Sequence, residues 1–330
     1  MEKLEVIGPR KLNGSIRISG SKNSSLPILA ATLLSNKTIH ILNLPNVKDI
    51  ETMLLLLGSL GSKIKLNKKK KLVSINNSKD IKTFASYNLV KTMRAGILVL
   101  GPLLARFGKA KVSLPGGCAI GARPVDIHLK ALSKLGVQYK IMEGYIYAKV
   151  PKGLTGNTIK FPKISVGATE NLIIASCFAK GKTILKNCAI EPEIKDLINF
   201  LNKMGCSIKW KGRRTIEILG VRLLKETKYK IMPDRIEAGT YMIASALTCG
   251  NLKITNIDPK IIDTEIKILK KIGFEIKIKS KEIEVKGKKK IKKIKLKTAP
   301  YPGFPTDLQA QLMVLLCKAD GRSEISEKIF

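Results

Sequence analysis

A short motif that recurs four times constrains the fold of this chain more than any other feature. The pattern Leu-x-x-apolar-Gly-x-x-(Ile/Tyr)-Lys occupies residues 57–65, 132–140, 201–209 and 269–277. Its glycines are 75, 69 and 68 residues apart. A period of about 70 residues indicates a chain built from repeated supersecondary units rather than from unrelated segments.

Each copy of the motif predicts the end of a helix followed by a β-hairpin. A glycine directly after the last apolar residue is typical of a left-handed helix cap. Two alternating segments separated by a short polar tip follow each glycine, which is the pattern of a hairpin. We expect the tips at residues 68–71, Glu143-Gly144 and Lys211-Gly212. The lysine run 68–71 is therefore interpreted as a solvated tip rather than a nucleic-acid patch.

A second recurring piece is a helix of small apolar residues that ends in glycine and leads into a strand. It ends at Gly108, Gly181, Gly250 and Gly321, and Ser35-Asn36 is interpreted as the same element with Asn as the left-handed cap. Gly181-Lys-Thr lacks the earlier glycine of a P-loop. Each unit is then strand, helix, strand, helix and hairpin, which predicts an α/β fold around a pseudo-symmetric centre.

The two recurring pieces are not equally numerous. The small-residue helix occurs five times and the Leu-x-x-apolar-Gly motif four times. We therefore expect the chain to derive from a longer parent of about six units.

The composition excludes several classes of protein. With 330 residues, 44% of them hydrophobic, the chain can bury a core, which excludes a disordered tail, a collagen-like fibre and a disulfide scaffold. The apolar stretch 96–104 is cut by Pro102 and is too short to span a membrane. The N-terminus shows no apolar export segment, so we expect a cytoplasmic protein.

The net charge of +36 raises the question of nucleic-acid binding. Of the 61 basic residues, 51 are Lys and 10 are Arg, whereas specific recognition of phosphates and bases favours Arg. Aromatic residues, which stack on single strands, make up 5% of the chain. The composition favours anionic small molecules over nucleic acid as partners.

Cys118 differs from the other five cysteines. The six cysteines form no CxxC pair and no zinc-site spacing with histidine, and most are expected to be buried small hydrophobes. Cys118 instead lies in residues 115–124, where five of ten residues are Gly or Pro, a composition suited to a mobile lid. With Arg123 five residues away, its thiol could serve as a proton donor or nucleophile. The alternative is an ordinary exposed thiol.

Two further segments place charged residues at helix starts. In residues 19–25, Lys22, Asn23 and helix N–H groups converge where an anion could bind, although a plain Ser/Asn cap is the alternative. Asp307 follows a Pro-rich approach in the first turn of a helix, as a candidate general base or as a complement to the helix dipole. His40 and His128 do not predict a Cys-His hydrolase, and no dinucleotide-binding glycine fingerprint is present.

Taken together, seven ordered segments resemble the UDP-N-acetylglucosamine 1-carboxyvinyltransferase family of enolpyruvyl transferases, from residue 1 to residue 330. The segments are Leu-Pro-Gly-Gly-Cys118-Ala-Ile-Gly-Ala-Arg-Pro-Val-Asp, Ser-Gly-Ser-Lys22-Asn23, Leu-Val-Lys-Thr-Met-Arg94-Ala, Ser165-Val-Gly-Ala-Thr, Glu191-Pro-Glu-Ile, Pro233-Asp-Arg-Ile-Glu-Ala-Gly-Thr and Phe-Pro-Thr-Asp307-Leu-Gln-Ala-Gln.

The resemblance implies both a reaction and a fold. The family transfers the enolpyruvyl group of phosphoenolpyruvate to the 3′-hydroxyl of UDP-N-acetylglucosamine and releases phosphate, the first committed step of peptidoglycan precursor synthesis. Its fold is two inverse α/β-barrel-like domains of three units each. By this resemblance, residues 1–21 and 233–330 form one domain, which lacks its last unit or so, and residues 22–232 form the other.

The resemblance also implies a role for each site residue. Cys118 would protonate the methylene carbon of phosphoenolpyruvate and is where the epoxide fosfomycin attacks. Lys22 and Arg123 would hold the phosphate and carboxylate, with Arg94 beside them, and Asp307 would be the base at the 3′-hydroxyl. The sugar nucleotide would be lined by Asn23, Arg123, Pro124, Val125, Asp126, Ile127, Lys163, Ser165, Val166, Gly167 and Ile329.

The family requires no metal and no organic cofactor, and its partners are the two small-molecule substrates, without nucleic acid or membrane. Its members carry further phosphoenolpyruvate-binding arginines in the part that this chain lacks. Two alternatives therefore stay open, a non-catalytic UDP-sugar-binding remnant and the sister transferase acting on shikimate 3-phosphate.

Overall fold

The computed structural model describes residues 3–77, 80–91, 93–116 and 125–329. The chain divides into two compact units. Unit 1 combines the segments up to Ser19 and from Pro233 to Ile329, and unit 2 runs from Gly20 to Met232. Each unit has its own apolar core.

The first strand, β1 (Asn13–Arg17), belongs to unit 1. The chain then enters unit 2. The first repeat of unit 2 comprises α1 (Lys22–Ala31), a 3-10 turn (Thr32–Leu34), β2 (Thr38–Leu42), α2 (Lys48–Ser59), β3 (Lys63–Asn67) and β4 (Leu72–Asn76). The second comprises β5 (Phe84–Ala85), α3 (Tyr87–Val90), a 3-10 helix (Arg94–Val99), α4 (Leu100–Phe107), β6 (Lys109–Ser113), α5 (Asp126–Ser133), β7 (Gln138–Met142) and β8 (Tyr145–Lys149).

The third repeat completes unit 2, and the chain then returns to unit 1. The third repeat comprises β9 (Thr158–Lys160), α6 (Val166–Ser176), β10 (Lys182–Lys186), α7 (Pro192–Met204), β11 (Ser207–Gly212) and β12 (Thr215–Leu219), and is followed by β13 (Thr227–Lys230). Unit 1 continues with α8 (Arg235–Leu247), β14 (Asn251–Thr255), a 3-10 turn (Pro259–Ile262), α9 (Asp263–Lys271), β15 (Glu275–Lys279), β16 (Glu282–Lys286), β17 (Ile291–Lys292), β18 (Lys295–Lys297), a 3-10 turn (Thr306–Leu308), α10 (Gln309–Leu316), β19 (Ala319–Asp320) and β20 (Glu324–Ser326).

Four repeats each form a four-stranded sheet of the same topology. The strand orders are β13-β2-β4-β3, β5-β6-β8-β7, β9-β10-β12-β11 and β1-β14-β16-β15. In each sheet the first two strands are parallel and the other pairs are antiparallel. The predicted order of strand, helix, strand, helix and hairpin is confirmed. In the described part of the chain these are separate sheets rather than one closed barrel.

Two of the sheets obtain their first strand from a distant part of the chain. Strand β1 pairs with β14, so residue 13 lies opposite residue 251. Strand β13 pairs with β2, so residue 227 lies opposite residue 39. In unit 1, β1 precedes all of unit 2 in the chain and β14 follows it, whereas in unit 2 the last strand, β13, pairs with the first, β2.

The helices that precede the second strands form the interior of unit 2. All residues of α1 from Ser24 to Ala31 are buried, and so are all residues of α6 from Ala168 to Ser176. Strands such as β4 and β8 instead alternate between buried and partly exposed residues. A helix that is buried on every side belongs in a core, so the helices lie inside and the sheets outside. This is the inverse arrangement implied by the resemblance.

The predicted glycine caps of the recurring motif are confirmed. Gly61, Gly136, Gly205 and Gly273 have φ of 105°, 97°, 108° and 114°. These φ angles lie in the left-handed region that side chains disfavour, so glycine ends the helix and turns the chain into the hairpin.

Three local predictions were wrong. After α1 the chain passes through a 3-10 turn and an extended Ser35, and Asn36 does not adopt a positive φ. Before β14 the left-handed residue is Cys249 (φ 52°), while Gly250 is needed because a Cβ there would lie 2.0 Å from the Leu12 carbonyl oxygen. Strand β11 extends through Gly212, so the hairpin tip is Arg213-Arg214.

The last lysine of the recurring motif faces the middle of the second hairpin strand on the outer side of each sheet. The paired residues are Lys65 with Ser74, Lys140 with Tyr147, Lys209 with Glu217, and Lys277 with Glu284. In the third repeat, Glu217 lies 3.7 Å from Lys182 and 3.6 Å from Lys211. In the second repeat, Tyr147 lies under the ammonium of Lys111, 4.8 Å from nitrogen to ring centroid. Equivalent positions thus balance lysine with a carboxylate in one repeat and with an aromatic ring in another.

The described residues contain no helix with the length and apolar character that crossing a bilayer requires.

Candidate functional site

In three of the four sheets, an asparagine directly after the second strand is hydrogen-bonded to the end of the first strand. Asn43, Asn187 and Asn256 all adopt left-handed φ angles, of 60°, 59° and 64°. Each side-chain amide donates to a backbone carbonyl just beyond the first strand of its own sheet. The bonds run from Asn43 to Ile231 (3.0 Å), from Asn187 to Phe161 (3.0 Å) and from Asn256 to Ile18 (2.7 Å). We call these three residues the asparagine clamps.

The second repeat has no asparagine clamp. There the Leu114 N–H donates directly to the hairpin carbonyl of Gly144 (2.8 Å). In the third repeat the residue after the asparagine, Cys188, makes the equivalent bond to Arg214 (3.0 Å). Strand β6 therefore leads into its connection without the residue that fixes the other three sheets.

The connection that follows β6 is also the longest of its kind. Residues 114–125 separate β6 from α5, whereas five residues separate β2 from α2 and β10 from α7. Cys118, Arg123 and Pro124 belong to this connection and lie outside the described residues. The structure therefore gives the length of the segment and the positions of its two ends.

Lys22 and Asn23 open helix α1, as expected. The Ser21 side chain caps the helix by accepting a hydrogen bond from the Ser24 N–H (3.3 Å). The Lys22 ammonium lies 3.1 Å from a carboxylate oxygen of Asp49, in the first turn of α2, and both side chains are about two-fifths exposed. Asp49 was not predicted, since nothing in its spacing connects it to Lys22. The ion pair keeps the ammonium at the start of α1, where helix N–H groups also favour an anion.

A buried carboxylate, that of Asp196 in α7, fixes the first turn of α1. It accepts hydrogen bonds from the Ser24 hydroxyl (2.5 Å), the Tyr229 hydroxyl (2.6 Å) and the Met232 N–H (3.2 Å). Burial raises the pKa of Asp196, although these hydrogen bonds oppose the rise. The role of Asp196 could not be predicted from spacing, because its side-chain partners are 33 to 172 positions away.

Arg94, Asp126 and Gly167 surround His128 in the second repeat and its neighbour. Arg94 begins the 3-10 helix before α4, Asp126 begins α5, and Gly167 lies in the first turn of α6. Burial, and then the positive charge of Arg94, lower the pKa of His128 to about 4, while Asp126 acts in the opposite direction. This position of His128 was not predicted, since nothing in its spacing connects it to Arg94 or Gly167.

The remaining predicted residues of unit 2 lie at two helix starts. Ser165 caps α6 by accepting from the Ala168 N–H (3.3 Å), Val166 is exposed in the first turn, and Lys163 is exposed just before it. Val125 is the residue before α5, and Ile127 is buried within it. The N–H groups of the first turn of α6 are those that a helix leaves without helical partners, which suits an anion.

In unit 1, Asp307 and Ile329 are connected through Glu327. The Glu327 carboxylate accepts from the Thr306 hydroxyl (2.8 Å), the Thr298 hydroxyl (2.9 Å) and the Ile329 N–H (2.6 Å). Burial alone would raise the pKa of Glu327, but these hydrogen bonds outweigh it and the pKa is lowered. The turn that carries Asp307 and the segment that carries Ile329 are thus held by one ionised side chain that sequence analysis missed.

The described residues supply cations and helix N-termini but no metal centre. No group of three or more His, Cys, Asp or Glu among them is arranged to hold a metal ion. Lys22, Arg94 and the starts of α1 and α6 are suited to bind phosphate or carboxylate groups.

Comparison with known proteins gives consistent similarities. The family described as EPSP synthase (3-phosphoshikimate 1-carboxyvinyltransferase) matches residues 6–330. The UDP-N-acetylglucosamine 1-carboxyvinyltransferase of Pelagibacter ubique is 73% identical over 330 residues, covering 100% of this chain and 79% of that protein. The protein of the same name from Geotalea uraniireducens is 50% identical and 78% covered.

Solved structures agree in fold. The enolpyruvyl transferase NikO from Streptomyces tendae matches with a TM-score of 0.88 at 21% identity, over 97% of this chain and 76% of that one. EPSP synthase from Acinetobacter baumannii matches with a TM-score of 0.67 at 18% identity, over 96% and 74%. The repeated sheets, the inner helices and the full-length match agree: the chain belongs to the EPSP synthase family of carboxyvinyltransferases.

Proposed function

We propose that this chain transfers the enolpyruvyl group of phosphoenolpyruvate to the 3′-hydroxyl of UDP-N-acetylglucosamine and releases phosphate. The observation that carries the proposal is 73% identity, across the whole chain, to a protein named for that reaction. The proposal includes a cytoplasmic location and a role in peptidoglycan precursor synthesis.

In the proposed mechanism the protein moves two protons and holds one anion. Cys118 gives a proton to the methylene carbon of phosphoenolpyruvate, which makes the neighbouring carbon electrophilic. The 3′-hydroxyl attacks that carbon while Asp307 takes the hydroxyl proton. The Cys118 thiolate then takes back a proton from the same methyl carbon as phosphate leaves the tetrahedral adduct, which restores the double bond.

The cations stabilise the charge that this sequence of steps requires. Lys22 and Arg123 hold the phosphate and carboxylate, with Arg94 beside them. The Lys22–Asp49 pair and the Asp196 hydrogen bonds support this role, because they fix the start of α1 before substrate arrives. The sugar nucleotide is proposed to be lined by Asn23, Arg123–Ile127, Lys163, Ser165, Val166, Gly167 and Ile329.

The sister reaction on shikimate 3-phosphate is disfavoured. The most similar relatives described above are named for the sugar-nucleotide reaction, and the EPSP synthase structure is only 18% identical. A non-catalytic UDP-sugar-binding protein is likewise not favoured, since the relatives described above are named for the transfer reaction.

A phosphate-release assay tests the proposal. The 330-residue chain is incubated with phosphoenolpyruvate and either UDP-N-acetylglucosamine or shikimate 3-phosphate. We expect release with the sugar nucleotide, loss of at least about 100-fold in Cys118→Ala, and retention in the matched control Cys188→Ala. Phosphate release with shikimate 3-phosphate but not with UDP-N-acetylglucosamine would contradict the assignment. Nucleotide binding without any release would support the binding protein instead.

A further inference from the structure

His128 is a buried polar residue that the proposed mechanism does not use. It is the third residue of α5, directly after the connection that contains Cys118, and it is 7% exposed. The other histidine, His40, lies on an outer sheet face with Ser74 and Glu226 as neighbours. A buried imidazole beside a helix N-terminus requires a reason that packing alone does not give.

The tautomer of His128 follows from the orientation of Asn171. The Asn171 carbonyl oxygen accepts from the Gly101 N–H (2.8 Å), so its amide nitrogen points the other way. That nitrogen donates to the Ile97 carbonyl (3.2 Å) and faces Nδ1 of His128 (3.2 Å). Because Nδ1 must accept this hydrogen bond, the neutral ring carries its proton on Nε2.

The Nε2 edge of the ring faces the first turn of α6. A Cβ built at Gly167 would lie 3.2 Å from Cε1 and 3.4 Å from Nε2 of His128. Glycine at position 167 therefore leaves room for the imidazole against the start of the helix. In the described part of the chain, Asn171 is the hydrogen-bond partner of this ring, and it engages Nδ1.

Three independent elements thus converge on one small region. They are the N-terminal turn of α6 with its N–H groups, the Nε2–H of His128, and the positive charge of Arg94, which is close enough to act on the imidazole. All three features favour the binding of an anion. The Ser165 side chain caps the same turn by accepting a hydrogen bond from the Ala168 N–H.

We propose that His128 is a further binding residue, whose Nε2–H donates to a phosphate group seated on the N-terminal turn of α6. If the proposed function is right, on which this detail rests, the group belongs to the diphosphate of the sugar nucleotide. Asn171 is the positioning residue that sets the tautomer. Because the imidazole stays neutral well below pH 7, the donor is present throughout the physiological range.

The chain offers a sharp test because it contains only two histidines. Imidazole ¹⁵N spectra of the full 330-residue chain should show His128 with its proton on Nε2. Titration with UDP or inorganic pyrophosphate should shift this Nε2–H resonance, while His40 serves as the internal reference. A ring protonated on Nδ1, or no shift with either probe, would overturn the inference.

Three variants separate binding from structure. Gln at position 128 places an amide donor near the lost Nε2, whereas Asn places it near Nδ1. A hydrogen bond to a charged group contributes about 10- to 100-fold in affinity, so His128→Asn should weaken UDP binding by that factor. His128→Gln should stay within a few-fold of the unmodified chain, and His40→Asn should leave the affinity unchanged.

The outcomes distinguish this inference from the proposed function. Pyrophosphate binding that depends on His128, without any UDP binding, would leave the anion site in place and remove its nucleotide assignment. Equal losses of affinity and thermal stability in the Asn and Gln variants would show a purely structural histidine and overturn the inference.

Discussion

The second and third repeats share one architecture but treat the end of their second strand differently. In the third repeat, Asn187 ties the strand end to Phe161, and five residues lead directly into the next helix. In the second, Leu114 takes the place after the strand and twelve residues lead to α5. The repeat without a clamp is the one with the long connection that contains Cys118.

This difference sets the second repeat apart from the other three. In the repeats with a clamp, three interactions fix the end of the second strand. They are the bond from the left-handed asparagine, the bond to the hairpin carbonyl and the pairing within the sheet. The second repeat lacks one of these constraints, and His128, Arg94 and Gly167 gather beside it. The following tests address this comparison directly.

The largest contrast is expected between the thiols of Cys118 and Cys188. Cys188 follows the clamp Asn187 and is fully buried, and burial raises its pKa to about 12. At pH 8 only about one Cys188 in 10,000 is then a thiolate, so iodoacetamide should label Cys118 at least about 1,000-fold faster.

Peptide mass spectrometry over time measures both rates in one sample. Cys317, which is exposed, reports on the reagent. Comparable labelling of Cys118 and Cys188 would mean that the two repeats do not differ in the way proposed.

Acidification should destabilise the second repeat through His128. An unfolded histidine takes up a proton near pH 6.5, whereas folded His128 does so only near pH 4. The stabilisation is therefore complete above pH 6.5 and is lost as the pH falls toward 4, by about 3 kcal/mol. The groups that act on this ring are Arg94 and Asp126.

Urea unfolding at pH 7 and pH 4 measures this effect. The loss of unfolding free energy should be about 3 kcal/mol smaller in His128→Asn than in the unmodified chain or in His40→Asn. An equal acid loss in all three proteins would show that His128 is not buried as a neutral base.

Removing a clamp should cost less, about 2 kcal/mol. Asn187→Ala replaces a residue that tolerates the left-handed backbone with one that does not, and it leaves the Phe161 carbonyl without its donor. Asn187→Gly restores the backbone freedom and should recover about half of the loss. Urea midpoints of the three proteins measure this, and an unchanged Asn187→Ala midpoint would mean that the clamp contributes nothing.

The smallest effect concerns the outer sheet faces. Glu217→Gln in the third repeat breaks two partly exposed ion pairs and should cost less than about 1 kcal/mol, vanishing at 1 M salt. At the matched position of the second repeat, Tyr147→Leu removes a cation–π contact, whose loss should depend less on salt. Identical salt dependence in both variants would remove this distinction.

Much of the fold could be predicted from the sequence, because glycine is the only residue that marks a left-handed cap without cost. Gly61 and its three equivalents therefore gave the helix ends and the repeat. The asparagine clamps leave a weaker signal, an Asn directly after the second strand of three sheets, that could have been found by aligning the repeats. Cys249 could not, since cysteine does not mark a left-handed backbone, and the close approach at the neighbouring Gly250 comes from Leu12, far away in the sequence.

The candidate site was predictable only in part. The positions of Lys22, Asn23 and Ser165 at helix starts could be predicted, because capping residues and helix N-termini are local features of the sequence. Asp49, Asp196, His128 and Glu327 act through partners that are distant in sequence, so no spacing reveals them. Burial, the property that defines His128, depends on α5 meeting α6 and cannot be deduced from either helix alone.

The pairing of two first strands with distant parts of the chain has a consequence for synthesis on the ribosome. Strand β1 is made early, but its partner β14 lies 238 residues later, so its edge waits while all of unit 2 emerges. Strand β2 likewise waits for β13. Unit 1 needs strands from both sides of unit 2, and unit 2 needs its last strand to complete its first sheet. This makes folding a slow, long-range problem in which the nascent polypeptide must keep two β-edges from pairing with the wrong neighbour.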